Sequence, residues 1–257
     1  MAREQAEFWY RFAAAILRPL LMVLTKRDWR GAEHIPREGG VIVCPNHISY
    51  FDPLSFAHFV HDRGRTIRFL AKEVLFRIPV VGRIIAGAGQ IPVYRGSRDA
   101  ALAFRDAVAA IRRGECVAIY PEGTVTRDPD RWPMVGKTGA ARVALATGAP
   151  LIPIAQWGPQ EVLAPYSKRL RLFPRKTMHV VAGPPVDLSE FADRDVTPEL
   201  LRAATEKIMA AIGALLAEIR EEQPPAVRFD MRTQSLPETG NPNKPKPKRD
   251  SGERRPA

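Results

Sequence analysis

The stretch Asn46-His47-Ile48-Ser49-Tyr50-Phe51-Asp52-Pro53 sets an imidazole and a carboxylate five residues apart, directly after the apolar run Val41-Ile42-Val43-Cys44. A carboxylate against one ring nitrogen fixes the tautomer and stabilises the imidazolium, leaving the other nitrogen to take a proton. In a continuous helix this spacing would place the two side chains about 140° apart, since each residue turns about 100°. Pro53 removes the difficulty. It disfavours helical backbone at Asp52 and suits a first helical position, so Asp52 is expected as an N-cap with His47 in the loop before it. A loop can fold back and bring ring and acid together. The same residues also suit a plain helix cap and an ordinary loop histidine, and the pair alone does not separate these readings.

Two further blocks follow. Tyr120-Pro121-Glu122-Gly123-Thr124 stands directly after a second apolar run, Cys116 to Tyr120. Glycine and threonine at a strand end offer backbone N–H groups and a hydroxyl to an anion, and Glu122 would orient a donor or accept from a hydroxyl. An ordinary strand-to-loop turn uses the same residues. Gly89-Gln90-Ile91-Pro92-Val93-Tyr94-Arg95-Gly96 puts Arg95 at another strand end, where a guanidinium can grip a phosphate through two parallel hydrogen bonds. Val135-Gly136-Lys137-Thr138 is not a phosphate-binding loop, because Arg131 stands where that pattern needs its first glycine. No G-x-S-x-G elbow marks a serine nucleophile, and no zinc-ligand spacing occurs.

The elements that must hold these residues alternate. Strands are expected at Val41–Cys44, Thr66–Ala71, Gln90–Tyr94, Cys116–Tyr120, Leu151–Ala155 and Met178–Ala182, with Pro92 pointing to an edge or a bulge. Helices are expected from Pro53 to Val60, at Lys72–Arg77, from Ala100 to Arg113, from Gly139 to Thr147, and from a Thr197 cap with Pro198 at its first position to about Glu222. This alternation defines a layered α/β domain with a largely parallel or mixed sheet flanked by helices.

The chain has 257 residues, enough for one sizeable core, and a formal charge of +11, which favours an anionic partner. Cys44 and Cys116 lie in apolar runs and read as buried, reduced thiols. Phe8 to Leu24 is apolar and aromatic but carries Arg11, Arg18 and Pro19. It is short for a spanning helix, and Glu4 and Glu7 spoil a secretory signal. It reads as an amphipathic helix lying in a membrane interface and bent near Pro19, with Trp9, Tyr10 and Trp29 at headgroup level. A core helix of a soluble domain is the alternative. After Gln223 prolines and basic residues dominate, and a disordered basic tail is expected. The expected divisions are therefore an interfacial helical segment at 1–29, the α/β domain at 30–222, and the tail at 223–257. Aromatic platforms are not interleaved with the basic residues, so no nucleic-acid partner is expected.

In order, Asn46-His47-x-Ser49-x-x-Asp52, the Gly-x-Ile-x-Val-x-Arg block closed by Arg95, Pro121-Glu122-Gly123-Thr124 and Leu151-Ile152-Pro153-Ile154 resemble the glycerolipid acyltransferases, in the manner of lysophosphatidic acid acyltransferases. The resemblance covers roughly residues 30–185. Lys72, in Phe69-Leu70-Ala71-Lys72-Glu73, also resembles a family position. Two departures stand out: Val125 follows Glu-Gly-Thr where the family usually has arginine, with Arg127 the nearest, and Pro92 replaces a larger apolar residue. The resemblance implies that His47 is a general base oriented by Asp52. Arg95, Lys72 and the Glu122-Gly123-Thr124 turn would hold the acceptor phosphate. The donor would be acyl-CoA or acyl carrier protein, the acceptor a lysophospholipid, and no cofactor or metal would be needed. The place would be the cytoplasmic face of the cell membrane, on an anionic surface, in a peripheral or monotopic manner. Acylation of another lyso- or glycolipid acceptor, and an inactive lipid-binding adaptor, are the alternatives.

Overall fold

The computed structural model describes residues 2–93, 97–234 and 241–242. Helix α1 (Ala2–Leu24) leads into strand β1 (Thr25–Arg30). Then come β2 (Val41–Pro45), α2 (Asp52–Asp62), β3 (Ile67–Lys72), a 3-10 turn at Glu73–Arg77 and α3 (Val81–Gly87). The chain continues through β4 (Ile91–Val93), α4 (Ser97–Arg112), β5 (Cys116–Ala118), α5 (Gly139–Thr147) and β6 (Leu151–Trp157). A short α6 (Pro159–Val162), β7 (Lys176–Ala182) and α7 (Pro198–Arg220) complete it.

The seven strands form one mixed sheet in the order β1-β7-β6-β2-β5-β3-β4. Every pairing is parallel except β6 with β7. Alternation along β2 explains how the sheet is covered. Ile42 and Cys44 face α4, α5 and α7, while Val41 and Val43 face the side closed by Phe56, Phe59 and Val60 of α2. Side chains two residues apart share a face of a strand, so one apolar run serves two cores. Both cysteines are free and fully buried within these layers. Thr197 caps α7 through its hydroxyl, which accepts from the Leu200 N–H at 3.2 Å. Pro92 sits on the edge strand β4, where its missing N–H costs no ladder bond.

The architecture departs from the sequence expectations in three places. Residues 25–30 are a strand of the sheet rather than part of an N-terminal segment, pairing in parallel with β7. Thr-Lys-Arg-Asp-Trp-Arg has no apolar run because an edge strand with one open face does not need one. Trp29 packs edge-on to His58 and Phe59, at ring-centroid distances of 4.8 and 5.7 Å. Tyr10 likewise packs inward against the core under α2, and burial pushes its hydroxyl up to about 12. Residues 223–234 are also not a free tail. The Phe229 carbonyl accepts from the Val135 N–H at 3.0 Å, and Met231 is buried. One backbone hydrogen bond and one buried side chain hold a stretch that its prolines and charges disguised. The remainder of the expected tail, 235–240 and 243–257, lies outside the described residues.

Helix α1 runs through Pro19 and packs on α2 and α3. Phe8, Phe12, Ile16, Leu20 and Val23 are exposed on its other side. Spaced by three and four residues, they share one face of the helix. Among the described residues no helix is long and apolar enough to cross a membrane.

Candidate active site

Strands β2, β5, β3 and β4 are consecutive neighbours and all parallel. Their carboxyl ends therefore open on the same edge of the sheet, the place where open α/β sheets gather their ligand-binding loops. The loop after β2 carries His47, the loop after β5 carries Glu122, Gly123 and Thr124, and Lys72 ends β3. Three segments far apart in sequence come to one edge because parallel strands all leave the sheet in one direction.

Position 47 is anchored on both sides. Asn46, fully buried, extends the β2–β6 ladder with its side chain: its amide oxygen accepts from the Gln156 N–H at 2.7 Å, and its amide nitrogen donates to the Gln156 carbonyl at 3.1 Å. Gln156 returns a bond from its own amide to the Asn46 carbonyl at 2.9 Å. The His47 N–H donates to Glu122 Oε1 at 2.8 Å, and the His47 carbonyl accepts from the Thr126 N–H at 2.7 Å. The ring lies against Tyr120, with centroids 4.3 Å apart and planes tilted by 34°.

His47 Nδ1 is 2.9 Å from Asp52 Oδ2. That oxygen also accepts the N–H groups of Ile48 at 2.7 Å and Ser49 at 3.0 Å. The loop therefore wraps around the carboxylate. Asp52 does not cap its own helix as expected: Phe51 holds the cap position, and Asp52 is the first helical residue. Its side chain points back to the loop because two amides and an imidazole offer three donors there. Burial pushes the Asp52 carboxyl up, opposed by those hydrogen bonds. With Nδ1–H given to Asp52, Nε2 carries the lone pair, and the side chain is 15% exposed while Asp52 is closed off. An imidazole open on one side and held by a buried acid on the other has the geometry a general base needs.

Glu122 is fully buried beneath the loop. Its two oxygens accept from backbone, Oε1 from His47 and Oε2 from the Met134 N–H at 3.1 Å. It ties the His47 loop to the strand-like stretch around Met134, a role the sequence did not disclose. Gly123, at φ +69°, turns the chain with its N–H on the Tyr120 carbonyl, and Thr124 is buried. The Lys137 N–H donates to the Pro121 carbonyl, and its side chain runs alongside Gly123. Its glycine pattern gives Lys137 no role in the sequence; only folding places it here. Val125 is buried, and Arg127 turns to Tyr166, its Nε 3.3 Å from that hydroxyl. Lys72 stands exposed at the end of β3, and Arg95 lies outside the described residues. Among the described residues no group of acids, histidines and cysteines has the makings of a metal site.

Burial pushes the Glu122 carboxyl up to about 8, against the two amides that favour its ionised form. A carboxyl with a folded pKa above its unfolded one keeps a proton that the unfolded chain has lost. Stability should therefore fall as pH rises from about 4.5 towards 8, then level off. Glu122→Gln is expected to flatten that fall. It should also cost about 1–3 kcal/mol at low pH, because one amide donor then faces an NH₂ group. Urea titrations across the window read both effects; identical pH slopes in the two proteins would exclude a protonated Glu122.

Fold and site together define an α/β protein with a histidine–carboxylate pair at the carboxyl edge of a mainly parallel sheet. The chain belongs to the acyltransferase family, whose model matches residues 26–157. A 1-acyl-sn-glycerol-3-phosphate acyltransferase of Borreliella burgdorferi is 38% identical over 125 residues, covering 48% of each chain. The match thus spans about half the length of that relative. One of the same description from Bacillus subtilis is 27% identical over 206 residues, 80% of this chain and 96% of the relative. The crystal structure of the 1-acyl-sn-glycerophosphate acyltransferase PlsC of Thermotoga maritima superposes with a TM-score of 0.66. It shares 24% identity and covers 87% of this chain and 85% of its own, and so shares the fold.

Proposed function

We propose that the protein moves an acyl chain from a thioester, acyl-CoA or acyl carrier protein, to the free hydroxyl of lysophosphatidic acid, giving phosphatidic acid. The observation that carries this reading is the His47–Asp52 contact at 2.9 Å on an open strand edge. His47 Nε2 takes the hydroxyl proton as the alcohol oxygen attacks the thioester carbonyl. Asp52 stabilises the imidazolium through Nδ1. When the tetrahedral intermediate collapses, the C–S bond breaks, and the imidazolium returns its proton to the departing thiolate. No acyl-enzyme is required. Lys72, Arg95 and the Gly123–Thr124 turn hold the acceptor phosphate, and Glu122 serves them by fixing the backbone of His47. The relatives named above carry lysophosphatidic acid acyltransferase descriptions, which supports this choice of acceptor.

The apolar stripe of α1 and the excess of basic residues support a peripheral position on the inner face of a membrane. A second acceptor reading rests on one observation. Val125 replaces the usual arginine, and Arg127 is turned to Tyr166, so a lyso-acceptor with a different head group fits the same mechanism. Thiol release by purified protein, with and without lysophosphatidic acid, tests the main reading. Release that rises with this acceptor supports it. Release only with another lyso-lipid moves the assignment to the second reading, and no release with any of them sinks both.

A further inference from the structure

The segment between β3 and β4 is expected to be tucked against the sheet if its apolar residues belong to the core. They do not. Val74, Leu75, Ile78, Val80 and Val81 are all exposed, Val80 at 66%. Large apolar patches on a surface mark a binding face. Val80 also holds φ +66° and ψ −62°, a backbone state that β-branched residues rarely adopt. Strain of this kind persists where the surroundings impose it, and it clusters at functional positions.

The patch continues onto α1. The indole of Trp9 lies where a Cβ on Gly87 would stand, within 2.5 Å, so only glycine permits the contact between α1 and α3. Phe8 and Phe12 pack edge-on to the same indole at 5.8 and 5.9 Å. Both belong to the exposed stripe of α1. The charge around the tip is mainly basic: Glu73 is paired with Arg77, and from there to Asp99 the sequence carries further arginines and no acidic residue. Arg77 and Arg83, on either side of Ile78-Pro79-Val80-Val81, are exposed. Apolar side chains at a tip with cations on its shoulders complement a bilayer surface, acyl region below and anionic headgroups beside.

We propose that the tip at residues 74–81 is a second membrane-insertion element, joined to the α1 stripe through Trp9 and seated in an anionic lipid bilayer. The proposal rests on the membrane position given under the proposed function but not on acyl transfer. It adds a contact beside Lys72, at the mouth of the candidate site. Two elements seated together would fix the orientation of that mouth, which one helix lying in the interface leaves free to roll.

The test uses the full chain and vesicles of phosphatidylglycerol and phosphatidylethanolamine. The double variant Ile78→Asp/Val80→Asp should lower the vesicle partition coefficient at least tenfold in co-sedimentation, with its far-ultraviolet dichroism and thermal midpoint unchanged. Val80→Cys can be labelled selectively, because Cys44 and Cys116 are buried. An environment-sensitive dye there should shift to the blue when vesicles are added. Partition within twofold of the parent, or a dye that does not respond, overturns the proposal. So does a parent dimer that the double variant splits while vesicle binding stays the same, since the face would then join two copies. Thiol release from a dispersed short-chain lysophosphatidic acid is measured alongside. Its absence in the parent would remove the acyl-transfer reading and leave the membrane result standing.

Discussion

His47→Ala is expected to lower acyl transfer by about 10²–10⁴-fold, the usual worth of a positioned general base. The fold should survive. The backbone of residue 47 is held by Glu122, Thr126 and, through its neighbour, by Asn46 and Gln156, and none of these bonds uses the ring. Loss of the ring leaves Asp52 with the Ile48 and Ser49 amides, which is a tolerable state for a buried carboxylate. The rate should fall in kcat with little change in KM, because the proton moves only as the transition state forms. Thiol release under saturating donor reads the loss, and a thermal melt checks the fold. Activity within threefold of the parent would mean that another group takes the proton.

Asp52→Asn separates charge from shape. The three donors all converge on Oδ2, and the amide oxygen of asparagine can occupy that place and accept all three. The geometry of the loop is kept, and the negative charge opposite the imidazolium is lost. A rate loss on the order of 10³–10⁴ is expected, the size met when a triad carboxylate becomes an amide. Asp52→Ala should lose a similar amount of rate but also stability. It strands two loop amides, each worth about 1–3 kcal/mol when buried and unpaired. The stability gap between the two variants thus comes from the loop, since the side chain caps nothing in its own helix. Urea midpoints and thiol release on the same preparations check both halves. Equal rates for Asp52→Asn and the parent would leave the acid as a purely structural clasp.

Much of the α/β alternation was legible because buried parallel strands are short continuous apolar runs with glycine or proline at their ends. Gly139–Thr147 is helical as expected and stops at Gly148, φ +66°. The contact between His47 and Asp52 was legible only as one of two readings, and the break expected from Pro53 falls one residue earlier, at Phe51. The direction of the Asp52 side chain was not legible. A cap and a clasp use the same residue, and only the positions of the Ile48 and Ser49 amides choose between them. Edge strand β1 was hidden by its polar sequence, and Phe229 and Met231 were hidden among prolines and charges. Both depend on a partner surface supplied by residues far away.

The sequence by itself determined the candidate groups, the order of the blocks that hold them, and the alternation that makes a mainly parallel sheet. Those properties are local, set by side-chain type, strand period and backbone restriction over a few residues. Tertiary structure alone decided that Glu122 faces the His47 amide, that Gln156 completes Asn46 across 110 positions, and that Lys137 lies beside Gly123. A hydrogen bond depends on distance and direction in space. Those distances exist only once the strands have taken their order in the sheet.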